Sequence, residues 1–246
     1  MTKPVPIDVL DEIDSTNAEA RRRAEAGARG PLWITASRQT AGRGRRGRTW
    51  ETGEGNLAAT LLMTTVKPPG EAAQVSFVAA LAVADLLSSQ VAPSLVTLKW
   101  PNDPMIGGRK AAGILIESGP HAADGLWLAV GVGVNLAKAP MAPARPATSL
   151  AGHLTRPPPK PLEALTVLAE AFERWRMLWE AAGFEPIAYA WTARAHGLGE
   201  PCTARLPNET VEGVAAGLDA DGALRLRTAD GSVRRITAGD VFFGSA

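Results

Sequence analysis

The chain has 246 residues, 46% of them hydrophobic and 21% charged, with a formal net charge of +1. That is enough to bury a sizeable core in one domain, or in one large and one small domain. The near-zero charge excludes a protein that coats nucleic acid along a broad basic face, and a single cysteine, Cys202, excludes a disulfide framework. The N-terminus "MTKPVPIDVLDEIDSTN" has no apolar core behind a basic start, so secretion is not indicated and the cytoplasm is the expected compartment. Apolar runs such as 57–63 and 127–134 are short of the ~20 residues a spanning helix needs, so no membrane span is expected. Only six of the 26 basic residues are lysine, which reads as a compositional bias and weakens arguments from counting arginines.

The first element is expected at Thr16-Asn17-Ala18-Glu19, which has the spacing of a capping box with Thr16 as the cap. It opens a helix over about 16–26 that ends at Gly27, with 21–23 as a solvated basic face. "PLWITA" reads as a strand, as does the apolar "NLAATLLMTT", and residues 71–90 read as a helix packed inside the core. Further strands follow at "LVTLKW", "AAGILIES" and "LWLAVGVGVN", separated by turns at Pro101-Asn102-Asp103-Pro104 and Gly107-Gly108.

Residues 138–161 hold Pro140, Pro143, Pro146 and the proline run 157–159, and should be an irregular connection. An amphipathic helix over about 161–181 carries Leu165, Leu168, Phe172, Trp175 and Trp179 at core spacing. Beyond His196 the pattern changes to short alternating segments, "TARLP", "TVEGVAAGL", "ALRLRT" and "VRRITAGDVFF", with Asp221-Gly222 and Asp230-Gly231 as hairpin turns. These form an all-β module of about fifty residues.

The chemistry concentrates in "TAGRGRRGRTWETGEGN", where the seven residues 42–48 hold four arginines and three glycines. Gly42-Arg43-Gly44-Arg45-Arg46-Gly47 matches G-x-G-x-x-G literally, but Trp50, Gly53 and Gly55 prevent the helix a dinucleotide site needs, and position 67 is a lysine rather than an acid. An arginine-glycine nucleic-acid arm would be flexible and repeated, whereas this motif occurs once between two strands. The third reading is a loop that wraps a small anion, with glycine allowing close backbone approach and arginine neutralising phosphate or carboxylate.

Three segments join it. "KWPND" ends a strand on a turn carrying an amide and a carboxylate, "GRKAAGILIE" sets Lys110 at the mouth of a small-residue strand, and "GVGVN" places glycines where a ligand or another backbone would approach. No nucleophile is evident: Cys202 has no histidine close in sequence, and His121, His153 and His196 lack metal-ligand spacing.

Taken in order, "DSTN" (14–17), "QTAGRGRRGRTW" (39–50), "KWPND" (99–103), "GRKAAGILIE" (108–117) and "GVGVN" (131–135) resemble the biotin protein ligases, with a compatible C-terminal β module and a weaker likeness after 135. The resemblance implies an α+β fold: a mixed-sheet catalytic domain with packed helices, class II synthetase-like and of the biotin/lipoate ligase type, over 1–196, then an SH3-like β-barrel over 197–246. It implies that biotin and Mg-ATP give biotinyl-5'-AMP and pyrophosphate, and that a lysine of a biotin carboxyl carrier protein then takes the biotinyl group.

By the same resemblance Ser15, Thr16, Asn17 and Gln39 hold the ureido head of biotin, with Gly42, Gly44, Gly113, Gly131 and Gly133 also around biotin. Arg43, Arg45 and Lys110 hold its carboxylate and the acyl-phosphate as the catalytic groups, while Arg48, Trp50, Asn102, Asp103 and Asn135 lie by ATP. No metal ligand is assigned, and Mg²⁺ arrives with ATP. Homodimers formed by sheet-edge pairing occur in some members, and the resemblance leaves the oligomeric state open. The "DSTN" segment starts at residue 14, too early for a preceding helix-turn-helix, so a ligase without direct control of transcription is expected.

"ETGEGNLAATLLM" and Pro104 depart from the family pattern around the biotin tail. The competing readings are a lipoate or octanoate ligase or transferase, a nucleic-acid-binding module, and a biotin-binding protein that makes no adenylate.

Overall fold

In the computed structural model, which describes residues 4–121, 125–141 and 146–244, strand alternation gives each face of the central sheet its own task. Pro143 of the expected irregular connection lies outside those residues. In chain order the elements are β1 (Ile7–Ile13), α1 (Thr16–Glu25), β2 (Leu32–Gln39), β3 (Leu57–Thr65), α2 (Pro69–Ala72), α3 (Val75–Ser88), β4 (Val96–Lys99), β5 (Asp103–Ile106), β6 (Arg109–Lys110), β7 (Ala112–His121) and β8 (Gly125–Val134). Then come α4 (Pro161–Ala182), α5 (Glu185–Thr192), β9 (Pro201–Arg205), β10 (Thr210–Leu218), β11 (Leu224–Arg227), β12 (Val233–Ile236) and β13 (Asp240–Phe243).

The central sheet runs β1-β2-β3-β8-β7, with β1 and β2 parallel and the remaining pairs antiparallel. The parallel pair follows from α1 crossing over between its strands. On one face Trp33, Leu57, Ala59, Leu61, Leu128, Val130, Val132, Val134, Ala112 and Ile114 enter the main core. The opposite face is split along its length. Ile34, Leu62, Trp127 and Ala129 take α1 through Ala20 and Ala24, while Thr60, Gly131, Gly133 and Gly113 further along lie under polar and ligand-sized space.

The helical layer on the core side centres on α3, where every residue from 77 to 84 is buried, as an apolar sequence with no polar face requires. By length and composition the stretch Pro69–Ser88 could cross a membrane, against the expectation that apolar runs fall short. Its most apolar window is 72% buried between sheet and helices, which explains its composition. The α4 helix lays Leu165, Leu168, Phe172 and Trp179 against this layer, as their spacing predicts, whereas Trp175 is only half-buried. The polar atoms of these aromatics are met: Trp175 Nε1 donates to Asp85 at 2.8 Å and Trp179 Nε1 to Gln74 at 3.0 Å.

A small antiparallel sheet, β4-β5-β6, continues beside β7. The expected turn at 101–104 is shorter than the prolines suggested, because Asp103 and Pro104 already open β5, opposite Lys99 and Leu98. The C-terminal sheet, β12-β11-β10-β9-β13, is wholly antiparallel, consistent with an SH3-like module. Gly222 and Gly231 have φ of +91° and +83°, so the two Asp-Gly pairs do make its turns. "VRRITAGDVFF" is two strands rather than one segment: the chain leaves β12 at one sheet edge and crosses to pair β13 with β9 at the other.

Leu81 is fully buried at the centre of α3. Leu81→Ala should lower stability by about 2–5 kcal/mol, read as a fall in the urea midpoint with an unchanged slope.

Candidate active site

The sequence brings five segments to one place through the register of the sheet. A cleft of about 760 Å³ opens on the half of the sheet that α1 leaves bare, with the C-terminal sheet forming its far lip. Ser15, Thr16, Asn17, Gln39, Arg43, Gly44, Arg45, Arg48, Trp50, Asp103, Lys110, Gly113, Gly131, Gly133 and Asn135 all line it. Gly42 and Asn102 lie behind the wall. A Cβ at Gly42 would meet the Trp50 carbonyl at 2.3 Å, so glycine there permits the loop's close return on itself. Asn102 is buried, donates to the Ile114 carbonyl at 2.7 Å and accepts from Arg45 at 3.1 Å.

One end of the cleft is neutral and polar. Ser15, Thr16 and Asn17 are almost wholly buried where β1 passes into α1. Asp14 fixes this corner: its carboxylate accepts the Ser15 amide at 2.7 Å and both terminal nitrogens of Arg22, and the Arg22 contact is the main reason its pKa is lowered to about 2. The expected capping role of Thr16 is overturned. The cap position belongs to Ser15, which makes no side-chain capping bond, and the Thr16 hydroxyl turns instead to Gln39 and Thr60. Two features of the tertiary structure pull it away: Gln39 accepts the Thr16 amide at 2.8 Å, and Thr60 stands beneath it in the sheet.

The other end is cationic. Arg43, Arg45, Arg46, Arg48, Lys110 and Arg205 face Glu51, Asp103 and Asp240 around it. The glycine-arginine segment is a tight hairpin, with Trp50 N–H on the Gly42 carbonyl at 3.0 Å and Gly44 N–H on Arg48 at 2.7 Å. It turns at Arg46 and Gly47, both with positive φ, and forms no helix beyond the three residues 45–47. Lys110 Nζ donates to Asp103 at 2.5 Å and lies 5.9 Å from the Trp50 ring centre. Burial draws the Arg45 guanidinium below the usual arginine value, against the pull of Asp103 and Asp240; arginine stays protonated at neutral pH regardless.

The glycines of "GVGVN" line the cleft and also make room for side chains of the site. A Cβ at Gly131 would sit 2.1 Å from the Asn17 amide oxygen, and one at Gly133 would sit 2.3 Å from the Trp50 indole. Gly113 likewise underlies the Trp50 ring, at 2.8 Å. These residues are missing side chains so that two site residues can rest on the sheet. Asn135 ends the strand buried, donating to the Thr148 carbonyl at 3.0 Å.

Sequence reasoning missed the contribution of the last strand. Arg46 and Arg48 both reach Asp240, at 3.3 and 2.6 Å, and Arg45 reaches the Gly239 carbonyl. Arg205 lies over the Phe242 ring at 4.6 Å beside them. Nearly two hundred residues separate the partners, so no local pattern carries the pairing. Cys202 is buried, its thiol pushed up by burial, which suits the absence of a nucleophilic role.

The arginine ends of these pairs are open to solvent although Asp240 itself is largely buried, and solvent-screened pairs hold little stability, so the Asp240 contacts matter mainly for where the hairpin rests. Asp240→Ala should leave the melting temperature nearly unchanged and speed tryptic cleavage after Arg46 and Arg48 severalfold. Equal cleavage rates would show that the C-terminal strand does not hold the hairpin.

Two family models match the chain: the biotin/lipoate A/B protein ligase family over residues 9–135, and the biotin protein ligase C-terminal domain over 197–244. A biotin–[acetyl-CoA-carboxylase] ligase of Paracoccus denitrificans is 45% identical over 96% of this chain and 100% of its own length. One of Mycobacterium tuberculosis is 34% identical over 96% of this chain and 88% of its own. Among solved structures, the biotin protein ligase of Aquifex aeolicus in complex with biotin and ATP superposes with a TM-score of 0.82 at 26% identity, covering 98% of this chain and 99% of that one. The Leishmania major enzyme in complex with biotinyl-5-AMP gives 0.66 at 26% identity, over 96% and 100%. With a fold, a C-terminal module and a cleft of this form, the chain belongs to the biotin protein ligases of the biotin/lipoate A/B protein ligase family.

Proposed function

We propose that this protein activates biotin with Mg-ATP to biotinyl-5'-AMP and transfers the biotinyl group to a lysine of a biotin carboxyl carrier protein, in the cytoplasm. The observation that carries the reading is the continuity of one cleft, with a buried neutral hydrogen-bonding end at Ser15, Thr16, Asn17 and Gln39 and a cationic end at Arg43, Arg45, Arg48 and Lys110. Biotin has that polarity: a ureido head with two N–H donors and one carbonyl acceptor, an apolar tail, and a carboxylate. We divide the labour between a catalytic domain at 1–196 and an SH3-like domain at 197–246.

In the first step a carboxylate oxygen attacks the α-phosphorus and pyrophosphate leaves, so two anions must be brought together. Lys110 and Arg43 neutralise the carboxylate, and Arg45 and Arg48 the phosphates, where charge concentrates in the transition state. Lys110 keeps N–H groups for a ligand while Asp103 accepts from it. Trp50, held over Gly113 and Gly133, covers the tail or the nucleotide, Asp103 and Asn135 border the nucleotide, and Asn102 steadies Arg45 from behind the wall. Mg²⁺ enters with ATP, whose phosphates supply much of its coordination.

In the second step the neutral ε-amine of the carrier lysine attacks the acyl carbon, AMP leaves, and the amine proton passes to solvent or to the departing phosphate. No enzyme nucleophile is needed, because the mixed anhydride is itself the acyl donor. The hairpin must exclude water until the carrier arrives.

ATP–pyrophosphate exchange with biotin, with lipoate and with no acid tests the reading. Exchange with biotin alone is expected; exchange only with lipoate, or with neither, overturns it. Arg45→Gly should keep the fold and release the adenylate at least tenfold faster in a filter-retention assay, and unchanged retention would remove Arg45 from the role of holding it.

A further inference from the structure

Thr60 belongs to none of the motifs, yet it is a wholly buried hydroxyl in the middle of an apolar strand, under the polar end of the cleft. Its oxygen is 2.7 Å from the Asn17 amide oxygen and 2.8 Å from the Thr16 hydroxyl. On its other side the Asn17 amide nitrogen meets Glu117 at 2.8 Å and the Leu115 carbonyl at 3.3 Å. Glu117 and Leu115 share a sheet face with Gly131, which leaves room for the Asn17 side chain to lie flat between them.

The donors available give this chain one direction. Glu117 and the Leu115 carbonyl are acceptors, so Asn17 must turn its NH₂ toward them and its oxygen toward Thr60. That oxygen can only accept, so the single Thr60 hydrogen goes to it. Thr60 is then left with lone pairs, and the Thr16 hydrogen points inward, to Thr60 or to the Gln39 oxygen at 3.1 Å. Gln39 is fixed in the same sense, because its oxygen accepts the Thr16 amide and its nitrogen donates to Thr52 at 3.0 Å. With every inner hydrogen committed, Thr16 offers the cleft an acceptor, and Gln39 keeps one N–H to offer as a donor.

We infer that Thr60 and Glu117 are positioning residues that polarise this network so that Thr16 and Gln39 meet a ring with N–H donors beside a carbonyl, and thereby select a ureido head over an apolar one. This rests on the reading in the preceding subsection and adds to it two residues that need not touch the ligand. An incorrectly polarised site would set donor against donor, and a buried unmatched pair is costlier than a missing bond.

The test compares Thr60→Val, nearly isosteric but without the hydroxyl, with Thr60→Ser, which restores it, and with Glu117→Ala at the half-buried outer end, where folding is least at risk. Pyrophosphate exchange is measured with biotin and, separately, with octanoate or lipoate, together with KM for ATP and the melting temperature. Thr60→Val should raise KM for biotin about tenfold, the effect of one lost hydrogen bond. It should leave kcat and KM for ATP within about twofold and narrow the preference for biotin over the apolar acids. Thr60→Ser should return to within about twofold of the native value, and Glu117→Ala should show the same pattern more weakly. If a folded Thr60→Val keeps its KM for biotin, or if kcat falls and both KM values rise together as the melting temperature falls, the inference is overturned. Should Thr60→Val not fold, an unchanged KM for biotin in Glu117→Ala overturns it. Native protein that shows no biotin-dependent exchange removes the preceding reading and this one together, whereas native exchange with unchanged variants removes only this one.

Discussion

The cleft exists because the β8 backbone is bare at Gly131 and Gly133, where any Cβ would lie within 2.3 Å of Asn17 or Trp50. Strand glycines ordinarily weaken a sheet. Here β8 can carry them because it is the central partner of both β3 and β7, and because its alternate residues Leu128, Val130, Val132 and Val134 are deep in the main core. The same strand thus anchors the helical layer through one face and seats the polar amide and the loop indole on the other. Period-two alternation separates the two tasks, so neither has to be compromised for the other.

From that floor the site is built by elements of unequal rigidity. The polar end is pinned on every side: by the Asp14–Arg22 contact at the start of α1, by Gln39 at the end of β2, and by Thr60 from below. The cationic end depends on a hairpin whose backbone bonds are mostly its own and whose arginines lean on Asn102 and on the Gly239–Asp240 corner. A recognition end that is set before the ligand arrives, with a charged hairpin beside it, suits a reaction that must admit two substrates and then keep water from a reactive anhydride.

Much of this was legible in the chain. The helices at 16–25 and 161–182, the apolar strands and the Asp-Gly turns follow from periodicity and turn chemistry that act over a few residues. The cationic cleft was announced by an arginine and glycine density that no solvated turn requires. Other elements were quieter. β1 carries Asp8, Asp11 and Glu12 because it is an edge strand, and α5 is only eight residues long with a proline near its start. In β5, Asp103 and Pro104 disguise a strand as a turn.

The sequence alone therefore determined which segments would carry chemistry, their charge and their family, because residue types and short spacings hold that information. Tertiary structure alone decided their partners. Thr16 reads as a cap until Gln39 and Thr60 offer its hydroxyl better-placed neighbours, and the loop arginines read only as partners for a ligand anion until Asp240, 192 residues from Arg48, lies against them. Such pairings depend on strand register and on the crossing from β12 to β13, and register is set by the burial of whole faces rather than by any local run of residues.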